Sequence, residues 1–130
     1  MRMKPVLSTC FLALMPMQAT AQDEFGALEF VRACAVCHGI HGRGDAVASS
    51  LLSVPVPDLT QIAARNDGNF PTEDIISIID GRGTRGHWPM PVWGYEMQND
   101  NMAVVGSEAA DAIVRARIIS IAEHLKSIQE

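Results

Sequence analysis

The run Cys34-Ala35-Val36-Cys37-His38 constrains this chain more than any other stretch. Two cysteines and a histidine at i, i+3 and i+4 fall on one side of a single helical turn. Two thiols so placed can add across two vinyl groups of one flat macrocycle while the adjoining imidazole reaches a metal at its centre. That is the pattern of covalent haem attachment, with His38 as one iron ligand. Other uses of paired cysteines fit less well. A redox dithiol expects a preceding strand in a βαβ context, whereas the residues before Cys34 have helical spacing. A zinc site needs two more soft ligands. The third cysteine, Cys10, lies in a segment expected to be removed.

That segment is the amino terminus. Arg2 and Lys4 supply positive charge, Val6 to Met17 form an apolar run, and Ala19-Thr20-Ala21 offer small residues at the positions a signal peptidase reads. The pattern predicts a cleaved signal peptide over residues 1–21 and a single mature domain over 22–130 in the periplasm. The run is broken by Pro5 and Pro16 and is short for a span, so no stable membrane anchor is expected. Export and the cysteine pattern reinforce one another. Losing Arg2 and Lys4 takes the formal charge from −5 to −7. An acidic domain of this kind is a poor partner for nucleic acid.

Three stretches of the mature domain read as helices. The first runs from Glu24 to Val36, with Phe25, Leu28, Val31 and Ala35 as its apolar face and Asp23 as its cap. The second runs from Thr72 to Ile79 and stops at Gly81. The third runs from Ser107, as a cap, to Ile128; its stripe is Val114, Ile118, Ile121, Leu125 and Ile128. Tyr95 to Gly106 reads as a long polar spacer. No segment alternates long enough for a sheet. The expectation is an all-α fold of three main helices and long loops, wrapped around one covalently bound haem that completes a small core.

A second iron ligand must come from elsewhere in the chain. Met90 is favoured, because Pro89 and Pro91 stiffen the loop that carries it. His87 is its main rival. His41 lies too close to the cysteines to reach the other haem face, and Met97 and Met102 read as packing or surface residues.

With these residues in view, the chain resembles class I, mitochondrial-type bacterial cytochromes c carrying a single haem. The resemblance rests on Cys34 to Gly39 followed by Gly42-Arg43-Gly44-Asp45, on Gly26 and Phe30, on Met90-Pro91-Val92-Trp93-Gly94, and on the terminal stretch Ser120 to Ile128. It implies that Gly26 and Phe30 sit where the first helix crosses the last. It also implies that a proline carbonyl in Val56-Pro57-Asp58-Leu59-Thr60 accepts the N–H of the axial histidine; Pro57 and Pro55 compete for that role. His124 stands where the family usually has a large aromatic residue, and is expected to replace its packing. Arg82, Arg85, Trp88 and Trp93 are candidates to bind a haem propionate, which needs pairing when desolvated.

The resulting expectation is a periplasmic one-electron carrier with His38 and Met90 on the iron and no catalytic residues. It would work between a redox protein donor and a redox protein acceptor. A cytochrome subunit held permanently in a dehydrogenase or oxidase complex is the alternative. A gas-binding or catalytic haem protein would need an open sixth position.

Overall fold

The computed structural model describes residues 18–83 and 88–130. Among them lie five α-helices: α1 (Gln18–Ala33), α2 (Ala35–His38), α3 (Thr72–Asp80), α4 (Trp93–Val105) and α5 (Ser107–Ser127). Short 3-10 turns at Val47–Leu51, Leu59–Gln61 and Ala64–Asn66 carry the chain from α2 to α3. No strand occurs among the described residues, and the fold is all-α as expected.

The longest helix, α5, organises the rest. Val114, Ile118, Ile121 and Leu125 are buried along it, with Ile128 packed at the end of the stripe. These residues step by four and three, which keeps them on one face. Helices α1, α3 and α4 all pack on α5.

The contact of α1 with α5 is a backbone contact. A Cβ on Gly26 would collide with the Ser120 carbonyl and lie 3.1 Å from the Cβ of His124. One turn later, Phe30 is fully buried and its ring packs on His124, with centroids 5.5 Å apart at 48°. The histidine thus serves as packing, and its Nδ1 lies 3.4 Å from the Asp23 carboxylate. Between Gly26 and Phe30, Glu29 is 2% exposed and accepts a hydrogen bond from Arg117 Nε on α5 at 2.7 Å. A buried carboxylate is tolerated only when paired in this way.

Five expectations for the helices are corrected. The buried face of α1 is Gly26, Glu29, Phe30 and Ala33, while Phe25, Leu28 and Val31 are exposed. At 100° per residue the two stripes lie on opposite sides of the helix. The glycine face wins because only it lets the two backbones approach. Asp23 is no cap: α1 begins at Gln18, and the Asp23 carboxylate instead accepts from the Ser127 hydroxyl at 3.1 Å. At the other end, α1 stops at Ala33, and Val36 belongs to the separate turn α2. The expected spacer is helix α4, because Trp93 and Met97, four apart, pack into the core; Met97 is 2% exposed. Gly106, at φ 79°, joins α4 to α5, so Ser107 is the first residue of α5 and not its cap.

A salt-bridge clamp ties the ends of α3, α4 and α5 together. Arg82 donates to both carboxylate oxygens of Asp80, at 2.7 and 2.8 Å, and pairs with Asp111 on α5. Gly94 in the first turn of α4 packs so closely on this pair that a Cβ there would collide with Arg82 and Asp80. Hydrogen bonds from Arg82 hold the Asp80 carboxyl below its ordinary value of 3.8.

Two outcomes follow. Gly26→Ala would stabilise an exposed helix by about 1 kcal/mol. Here it should destabilise, and Gly26→Val more so, by about 1–3 kcal/mol in denaturant unfolding of the loaded protein, because both overpack the Ser120 contact. The clamp makes stability depend on acid. A carboxyl with a depressed folded pKa stabilises above its unfolded value and loses that contribution as pH falls through the folded one. Asp80→Asn should therefore lower the melting temperature at pH 7, and the gap from the parent should close as the pH drops well below 3.8.

Candidate functional site

Helix α1 delivers Cys34 at its end, and α2 turns Cys37 and His38 after it. The amides of Cys37 and His38 donate to the Cys34 carbonyl at 3.1 and 2.9 Å, which holds the three side chains on one turn. Cys34 is buried, and neither cysteine is in a disulfide. Burial, with the Glu29 carboxylate and Cys37 adding to it, pushes the Cys34 thiol up to about 12.

The chain then folds back. Gly44, at φ 74°, donates its amide to the His38 carbonyl at 2.7 Å. A Cβ on Gly44 would collide with the Val56 carbonyl and lie 3.2 Å from that of Pro57. Only glycine allows this approach, and it fixes the Val54–Pro57 stretch near the histidine. Leu59 adds a second tie, donating to the Gly42 carbonyl at 2.7 Å.

These segments enclose a cavity of about 480 Å³. Cys34, Cys37 and His38 open onto it from one segment, Pro55 and Pro57 from the next, and Met90 and Trp93 from the segment leading into α4. Ile75, Ile78 and Ile79 of α3, with Ile121 and Leu125 of α5, supply apolar wall. Gly81 at the end of α3 seats the Met90 segment: a Cβ there would lie 3.3 Å from the Cα of Val92. The donor set is two thiols, an imidazole and a thioether inside an apolar enclosure. It fits a large flat group attached through sulfur and carrying a metal that takes nitrogen and sulfur ligands.

The structure distributes the other candidates. Pro55 and Pro57 both line the cavity, so the lining does not separate them. Trp88 lines it too, although its side chain is largely exposed. Arg82 lies outside the lining; the chain's own Asp80 and Asp111 occupy its guanidinium. Met97 is core, and His41 is exposed and outside the lining. Arg85 and His87 lie outside the described residues, as does the side chain of Met102. Sequence reasoning did not single out Leu52, Val54 and Ile62 as wall. They sit in irregular segments where apolar spacing carries no signal. Among the described residues, no group of three or more His, Cys, Asp or Glu is placed to hold a metal ion.

Comparison with known proteins agrees with this arrangement. The family model described as Cytochrome c matches residues 24–114, from within α1 into the second turn of α5. No curated protein and no solved structure matches the chain. The match spans well over half of the sequence and includes the attachment turn and Met90: the chain belongs to the cytochrome c family.

Proposed function

We propose that this protein is an exported one-electron carrier, holding one haem c through thioethers from Cys34 and Cys37 with His38 and Met90 as axial ligands. Family membership brings the covalent haem and the electron-transfer role; the ligand pair, the single haem and the location are this reading's own. One observation carries it. The attachment turn and Met90, more than fifty residues apart in sequence, line the same apolar cavity.

The haem supplies a ferric–ferrous couple when bound. The chain does the rest. Cys34 and Cys37 hold the macrocycle on α2, so that it cannot dissociate. The Gly44 amide and the packed Val56-Pro57 backbone anchor the residues around His38. A carbonyl of Pro55 or Pro57 would receive the imidazole N–H and set the ring's orientation and basicity. Pro89 and Pro91 limit the motion of Met90, and Val92 is pinned against Gly81. With His38 and Met90 both bound to the iron, no coordination site would be left for a substrate. Thioether ligation favours the reduced state and raises the potential. Among the described residues, no helix is long and apolar enough to cross a membrane. Cleavage before Gln22 would shorten α1 by its first turn and leave the Gly26 contact intact.

Intact-mass measurement of the exported protein should give residues 22–130 plus one haem that acidified organic solvent does not extract. The ferric protein should show the weak thioether-to-iron absorption band, and the ferrous protein should resist carbon monoxide at neutral pH. Met90→Ala should abolish the band, lower the potential and admit carbon monoxide. Met97→Ala should keep the band but cost about 2–5 kcal/mol of stability, as a core truncation does. Ready carbon monoxide binding by the parent protein would replace the carrier reading with a gas-binding or catalytic one. If His87→Ala produced the Met90→Ala effects instead, the iron would be bis-histidine.

A further inference from the structure

We propose that the outward face of α1 is where a second copy of this chain docks, forming a symmetric dimer in which two α1 helices lie antiparallel with Leu28 at the two-fold axis. The inference stands on the fold alone and does not depend on which side chains bind the iron.

Phe25, Leu28 and Val31 are 43%, 47% and 50% exposed, although the opposite face of α1 is packed on α5. Spaced by three, they form one stripe on the outside of the helix. They line a shallow groove there with Ala27 and Glu24. Single exposed apolar side chains are ordinary, but a continuous stripe marks a contact surface. None of the three lines the cavity of the attachment turn, so a molecule covering them leaves that cavity open. The charged residues that frame the stripe, Glu24 and Arg32, are both exposed.

The order of residues around Leu28 selects the occupant. Phe25 and Val31 lie three positions to either side of it, and Glu24 and Arg32 four positions. The two charged residues therefore sit about 6 Å below and above Leu28, each turned about 40° from it around the helix. A two-fold axis beside Leu28 reverses this order on the second helix. Glu24 then comes level with Arg32 of the other copy, twice over, and the large Phe25 comes level with the smaller Val31. A parallel pair would instead set Glu24 against Glu24 and Arg32 against Arg32, so charge selects the antiparallel arrangement. An isologous contact of this kind needs only one self-complementary face. Arg32 is available for it: its side chain is 65% exposed and lies 3.7 Å from Glu29, whose carboxylate Arg117 already holds at 2.7 Å. Each copy offers three apolar side chains, so the contact belongs to the small, rapidly exchanging class.

Sedimentation equilibrium of the haem-loaded protein tests this. The parent should move from monomer towards dimer mass as its concentration rises to about 1 mM. Leu28→Glu should weaken association at least about tenfold, because two like charges then meet at the axis. Glu24→Arg and Arg32→Glu should each weaken it at least about threefold, since the contact holds the pair twice and exposed pairs are individually weak. Combining Glu24→Arg with Arg32→Glu restores opposite charges across the axis and should return association to within about twofold of the parent. All four proteins should keep the parent's haem spectrum, because every changed side chain is exposed. A parent that stays monomeric up to about 1 mM would give the stripe to a different protein and overturn the dimer. A double variant that associates no better than the single ones would overturn the antiparallel arrangement.

Discussion

The crossing of α1 over α5 is the contact on which the other positions depend. Gly26 brings the two backbones together at Ser120, and Glu29 is locked there by Arg117. Two turns further along α1 the chain reaches Cys34, already facing the cavity that Ile121 and Leu125 of α5 help to wall. The attachment turn is thus aimed by a helix contact that touches none of the chemistry. Phe30 belongs to both, since it packs on His124 and also lines the cavity.

This division explains how much the sequence disclosed. Cys34, Cys37 and His38 are legible because their geometry is local: one helical turn contains it. The α5 stripe is legible because one face of a long helix is buried throughout. The place of Met90 in the cavity lining is legible because prolines mark its loop from both sides. By contrast, α1 presents two faces, and its more apolar one is turned outward. A contact made by glycine and a paired glutamate has no hydrophobic signature, and only the partner helix reveals it. Helix α4 was hidden for a related reason. It is held by two residues, Trp93 and Met97, in an otherwise polar run. Arg82 has the charge that a propionate wants, but Asp111, twenty-nine residues away, is brought to it by the fold.

Charge is placed with economy in this chain. Buried Glu29 and the Arg82 clamp hold helices together at positions away from the cavity lining. The lining itself is built from aliphatic side chains, prolines and tryptophans around the four donor groups. A low-dielectric enclosure of that kind disfavours the more charged oxidation state of a metal centre, in the same direction as a thioether ligand. With Met90 on the iron, as proposed, protein and ligand would act together on the potential.

The junction at Gly106 sets where this chain can change in length. A single residue separates α4 from α5, and nothing lies within 4 Å of the position a Cβ would take. Space is free there, yet register is not. One inserted residue would rotate α5 by about 100° relative to α4, turning Val114 and Ile118 away from Met97 and dragging the α1 crossing with them. The turn at Asp67 and Gly68 is the opposite case. Both residues are exposed, a Cβ on Gly68 meets nothing, and the neighbouring segments are short turns rather than helices in register. An inserted residue should therefore be tolerated at the second place and disruptive at the first.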